Sequence, residues 1–92
     1  MSNKKQKYQL APEVLSQEID DETILLDMKS ERYFGLNDVG THIVNMLKTG
    51  SDLETLVYGL LKLYDIERAI LEKDTKELLQ ELLNAGLIQT DS

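Results

Sequence analysis

Few of the 92 residues are of a kind that does chemistry, and their spacing excludes most of it. His42 is the only histidine, with Asp38 four residues before it on a helical stretch. One imidazole and one carboxylate are too few ligands for a metal site and lack the nucleophile of a triad, so a surface histidine beside an acidic neighbour is expected. Asp20-Asp21-Glu22 lacks the further oxygen ligands and the glycine of a calcium loop and reads as a hairpin turn. There is no cysteine, hence no thiolate zinc site, no thiol nucleophile and no disulfide framework. No phosphate-cradling glycine loop or dinucleotide fingerprint occurs. No catalytic residue, metal site or cofactor is therefore expected. What remains is Arg32-Tyr33-Phe34-Gly35-Leu36-Asn37, a short aromatic strand that passes directly into a helix beginning Asp38-Val39-Gly40.

The elements that position this run can be read from periodicity. Val14–Ile19, Thr23–Met28 and Arg32–Leu36 are strand candidates separated by the polar turns Asp20-Asp21-Glu22 and Lys29-Ser30-Glu31. Tight connections imply an antiparallel meander. Alternation places Arg32, Phe34 and Leu36 on one face of the third strand and Tyr33 and Gly35 on the other, with Phe34 and Leu36 turned to the core. Packing explains Tyr33 least, and Gly35 marks either a close backbone approach or a bend. Tyr8–Leu10 offers a further short strand ahead of Pro12, within a tail of residues 1–12 expected to be disordered and to carry Lys4, Lys5 and Lys7.

The rest is helical. Asn37 is an N-cap, and Val39, Ile43, Met46 and Leu47 recur on one face until Gly50. Ser51 to Glu54 reads as a capping box before a second helix that carries Leu53, Leu56, Val57, Leu60, Leu61 and Tyr64. After a break at Asp65-Ile66 a third helix spans about Glu67 to Asn84, with Gly86 past its end in a left-handed position. Its core arc is Leu71, Thr75, Leu78, Leu79 and Leu82. One flank carries Ile70, Asp74, Glu77 and Glu81, the other Leu83 with Glu72 and Lys76. An apolar residue among carboxylates fits either a groove wall or a solvated helix face. The fold class is thus α+β, a three-stranded antiparallel sheet followed by three helices in a winged helix-turn-helix-like order, forming one domain over residues 13–90.

The formal charge of −7 argues against nucleic-acid binding, which relies on basic residues displacing counterions. No apolar run approaches the roughly 20 residues of a membrane span, and the polar start is unlike a signal peptide. A cytoplasmic protein with no membrane partner is expected.

From Val14 to Ile88 the chain resembles the small PqqD-like proteins. The residues that carry the resemblance are Leu25-Leu26-Asp27, Arg32-Tyr33-Phe34-Gly35-Leu36-Asn37, Gly40, Asp74 and the ending Leu82-Leu83-Asn84-Ala85-Gly86-Leu87-Ile88, in order and at fitting spacing. Tyr33-Phe34-Gly35-Leu36 is most similar to the free-standing proteins of lasso-peptide pathways. Thr75 departs from the pattern, standing where a more apolar residue is expected. The resemblance implies a non-catalytic protein that binds the leader segment of a ribosomally made precursor peptide. In that family the leader adds as a strand to the edge of the third strand and is presented to a leader peptidase or another modifying enzyme. Carried over, Arg32, Tyr33, Phe34 and Gly35 supply backbone pairing, and Ile70, Asp74 and Leu78 form the opposite wall. The alternative is a winged-helix transcription regulator, which the charge disfavours. A catalytic role finds no constellation of groups.

Overall fold

The computed structural model describes residues 6–20 and 22–90. Along the chain run β1 (Lys7–Leu10), β2 (Val14–Ile19), β3 (Glu22–Asp27), β4 (Arg32–Leu36), α1 (Asp38–Leu47), β5 (Ser51–Asp52), α2 (Leu53–Leu63), α3 (Arg68–Asn84) and β6 (Ile88–Thr90). The expected α+β order is present, with the meander β2-β3-β4 leading into three helices. Its register pairs Val14 with Asp27 and Ile19 with Glu22, then Leu25 with Phe34 and Thr23 with Leu36. The turn at Asp20 takes a left-handed φ of 58°, a conformation aspartate tolerates better than most residues. Asp21, Lys4 and Lys5 lie outside the described residues.

A second small sheet, in the order β5-β1-β6, was not expected from periodicity. The short strand at Tyr8–Leu10 begins at Lys7 and takes the centre of this sheet, pairing Tyr8 with both Ser51 and Thr90. Because β5 claims Ser51, the cap of α2 falls one residue later than the capping box predicts. Asp52 is the N-cap, its side chain accepting from the Thr55 amide at 2.8 Å. An aspartate side chain serves as well as serine here and adds negative charge at the positive helix end.

The other helix signals hold. Asn37 caps α1 by accepting from the Gly40 amide at 3.0 Å. Past α3, the Leu87 amide donates to the Leu82 carbonyl at 2.9 Å and the Gly86 amide to the Leu83 carbonyl at 3.0 Å, closing a Schellman motif with Gly86 at φ 76°. Close packing of α1 on the sheet's end depends on Gly40, where an added Cβ would lie 2.9 Å from the Leu36 Cβ.

The core gathers one stripe from every helix and the inner face of the meander. Leu25, Val44, Leu47, Leu56, Leu60 and Leu82 are fully buried. Leu78 is only half-buried although it shares the arc of Leu71 and Leu79. Thr75 is 1% exposed and its hydroxyl has no hydrogen-bond partner. An unpaired buried hydroxyl costs about 1–3 kcal/mol. Thr75→Val, which keeps the shape and removes the oxygen, should therefore raise the urea midpoint, by about 1 kcal/mol of stability or more. An unchanged or lower midpoint would mean that the hydroxyl finds a partner in solution.

Candidate functional site

The sheet β2-β3-β4 ends at β4, whose outer side is bonded to no strand among the described residues. An edge of this kind offers a row of backbone donors and acceptors to an extended chain. Alternation along β4 follows the predicted faces. Leu36 is buried and Phe34 is half-buried against the core, while Tyr33 is 76% exposed on the outer face. That outer face is apolar beyond Tyr33, with Leu15, Ile19 and Ile24 exposed on the neighbouring strands. Gly35 has no atom within 4 Å of an added Cβ, so it marks no close backbone approach.

A cleft opens at each end of β4, and α3 reaches from one to the other. The first, of about 240 Å³, is lined by Arg32, Tyr33 and Phe34 together with Asp27, Ala85 and Leu87. The second, of about 280 Å³, lies between the start of α1 and the first half of α3, with Ile43, Leu71 and Thr75 at its floor and Asp74, Leu78 and Ile66 around them. Since Asn37, next after β4, lines the second cleft while Ala85, next after α3, lines the first, the strand and the helix run in opposite directions.

The predicted site residues thus fall into two groups. Arg32, Tyr33 and Phe34 share the first cleft, Asp74 and Leu78 the second. Ile70 is 51% exposed on α3 and, like Gly35, lines neither. The second cleft also enlists Asn37, Val39, Ile43 and Thr75, which sequence reasoning treats as a cap and as core. Their helical spacing says that they face inward, not that the packing leaves a gap there.

Electrostatics at the first cleft are set by Asp27. Its carboxylate accepts from the Lys29 amide at 3.0 Å and the Ser30 hydroxyl at 2.9 Å, and these bonds, the Lys29 amide first, hold its pKa below the ordinary 3.8. The turn into β4 therefore gains from this ionised group above the ordinary carboxylate range and loses that support as pH falls below it. On α3, Glu77 pairs with Lys73 at 3.5 Å, leaving Asp74 as the carboxylate of that flank that lines a cleft. His42 is half-buried and meets the Tyr64 ring edge-on at 5.9 Å, while Asp38 accepts from the Tyr64 hydroxyl at 3.1 Å. The aspartate expected beside the histidine is thus engaged by the tyrosine. Among the described residues no group of three or more His, Cys, Asp or Glu side chains is placed to hold a metal ion, and no helix is long and apolar enough to cross a membrane.

Comparisons with known proteins bear on the family and the fold. The profile of the family described as Coenzyme PQQ synthesis protein D (PqqD) matches residues 22–88, from β3 to the start of β6. Among solved structures, TbiB1 in complex with the TbiA(beta) leader peptide is 33% identical, with a TM-score of 0.83 over 88% of this chain and 94% of that one. A lasso peptide synthetase B1 complexed with the leader peptide is 30% identical, with a TM-score of 0.79 over 89% of this chain and 96% of the other. Among curated proteins no match is found. With a family profile spanning β3, β4 and all three helices, and two structures that share the fold over nearly its whole length, the chain belongs to the PqqD family.

Proposed function

We propose that this protein binds the leader segment of a ribosomally synthesised precursor peptide as an added strand on the β4 edge and holds it for a processing enzyme of a lasso-peptide pathway. The observation that carries the reading is the open edge of β4 with a cleft at each end and α3 alongside. Both similar structures hold a leader peptide, which supports the same ligand class here. Within the run Arg32, Tyr33, Phe34 and Gly35, the alternate residues whose backbone groups point away from β3 contribute the pairing. Leu78 and Asp74 wall the second cleft, and Ile70 extends that wall along the exposed side of α3.

Backbone pairing alone is insufficient. Four hydrogen bonds at about 1 kcal/mol net each do not offset the several kcal/mol lost in ordering a disordered leader. Apolar anchors seated in the clefts supply the remainder, a good one contributing about 2 kcal/mol. The role is to raise the local concentration of precursor at an enzyme, in our reading a leader peptidase, and it requires no catalytic group. We place this encounter in the cytoplasm, where a ribosomally made precursor first meets its enzymes.

Titration of the full chain with synthetic TbiA(beta) leader and with the leader of any precursor encoded beside it tests the reading, paired with a DNA shift assay at low salt. Saturable binding of a leader and none of DNA is expected. DNA binding without leader binding would favour the winged-helix regulator instead. Charge adds a second expectation. Asp74 sits at a cleft and attracts a basic leader residue within a Debye length of about 8 Å at physiological salt, so affinity should fall as salt rises and Asp74→Asn should flatten that dependence. Equal affinities for both proteins at low and high salt would make the carboxylates of α3 a solvated face only.

A further inference from the structure

The hydrogen bond between Tyr64 and Asp38 joins two parts of the fold that the second cleft keeps apart. Tyr64 ends α2 in an extended conformation, its amide donating to the Leu60 carbonyl at 2.9 Å, and Asp38 opens α1 two residues past the end of β4. Their sequence neighbours face each other across the cleft, Asn37, Val39 and Gly40 on one side and Ile66 and Leu71 on the other. The Tyr64 hydroxyl donates to the Asp38 carboxylate at 3.1 Å, and His42, one turn further along α1, meets the tyrosine ring edge-on at 5.9 Å. The tyrosine is thus held by its tip and by its ring.

The rest of this region is weakly anchored. From Lys62 to Ile70 every residue except Tyr64 is exposed, and Tyr64 packs against the core. Asp65, Ile66 and Glu67 lie in neither helix nor strand. α3 then starts with no side-chain cap bond and no acidic residue in its first turn, while Arg68 puts a cation at the positive end of the helix. A poorly capped helix start with one inward anchor opens locally at low cost, and such element ends are where a hinge absorbs motion.

We propose that Tyr64 is a positioning residue for leader binding, its clasp on Asp38 setting the spacing between α1 and the first half of α3 so that the groove is preorganised before a peptide arrives. The proposal rests on the leader-binding reading above. Tyr64 lines neither cleft beside β4, so it acts by holding Ile66 and the start of α3 in place and not by touching the peptide. Only molecules with the hinge shut bind with full affinity, and whatever lowers their fraction raises the apparent Kd by the same factor. Losing one solvent-facing hydrogen bond shifts that equilibrium by about fivefold.

Hydrogen exchange in the free chain and leader titration together test this. Tyr64→Phe removes the hydroxyl and keeps the ring. It should speed exchange of the Leu71, Glu72 and Lys73 amides, which close the first turn of α3, by about fivefold. That exchange should be nearly independent of low urea concentrations, because a hinge opening exposes little surface, whereas exchange at Leu82 should quicken with urea. The apparent Kd of the TbiA(beta) leader, measured well below the melting temperature, should rise by about twofold or more. Asp38→Ala should reproduce both changes, Asp38→Asn, which keeps an oxygen to accept the bond, should soften them, and Tyr64→Phe added to Asp38→Ala should have no further effect. Exchange of the first turn that is unmoved by Tyr64→Phe, or that follows urea as Leu82 does, would overturn the proposal. The readings stay separable because exchange is measured without peptide. A first turn that opens faster in Tyr64→Phe while the parent binds no leader sinks the leader reading and leaves the clasp, whereas equal leader affinities of parent and variant sink the positioning role alone.

Discussion

Phe34→Ala is expected to lower the unfolding free energy by about 2–3 kcal/mol, whereas Tyr33→Ala leaves it within about 0.5 kcal/mol of the parent. The two aromatic residues are adjacent on β4 and must point to opposite faces of the sheet. Phe34 stands across from Leu25, which is 0% exposed, and packs against the core from a half-buried position. Truncating a fully buried phenylalanine costs about 3–5 kcal/mol, so partial exposure places Phe34 below that range. Tyr33 faces outward opposite Leu26 and is 76% exposed, leaving little burial to lose. Urea denaturation of both variants, compared at constant m-value, measures the difference. If Tyr33→Ala proves the more damaging change, the inward and outward faces of β4 are exchanged, and the anchors assigned to the first cleft fall with them.

That pair of faces was legible because strand alternation is a local property, and the same holds for the caps. Asn37 and Gly86 announce their roles by residue type, since one supplies an acceptor where the first helical turn has spare donors and the other takes a φ of 76° that a β-carbon opposes. The sheet β5-β1-β6 was not legible beyond the hint at Tyr8–Leu10. Its strands have two, four and three residues, too short to show a period, and their pairing joins positions far apart in sequence. The cost of missing it was a cap placed at Ser51 in place of Asp52. Thr75 shows a different limit. Its spacing places it in the core arc of α3, but neither the gap between α1 and α3 nor the lack of a partner for its hydroxyl can be read from periodicity. Family resemblance, for its part, points to the third strand and third helix together, while the fold divides the named residues between two clefts. A leader that uses both must therefore run the length of β4.

Saturating leader should slow amide exchange at alternate residues of Arg32–Leu36, by as much as about 100-fold when free leader stands at about 100 times its Kd. The alternation is a requirement of the geometry. In an antiparallel edge strand every second residue already directs its amide to the inner neighbour, here β3, and only the intervening amides are free to donate to an added strand. The competing edge is β2, at the other side of the same sheet. It contributes only Val14 to a cleft that is otherwise built from turns and from residues Ala11 to Glu13, so a peptide added there would have backbone partners without a flanking helix groove. Protection confined to Val14–Ile19 would move the ligand to β2. Protection of helical amides alone, with β4 exchanging as before, would remove strand addition and leave the leader bound through side chains in the clefts. Slowed exchange at alternate β4 amides, joined by shifts at Leu78 and Leu87, would mean that one extended peptide occupies the edge and both clefts at once.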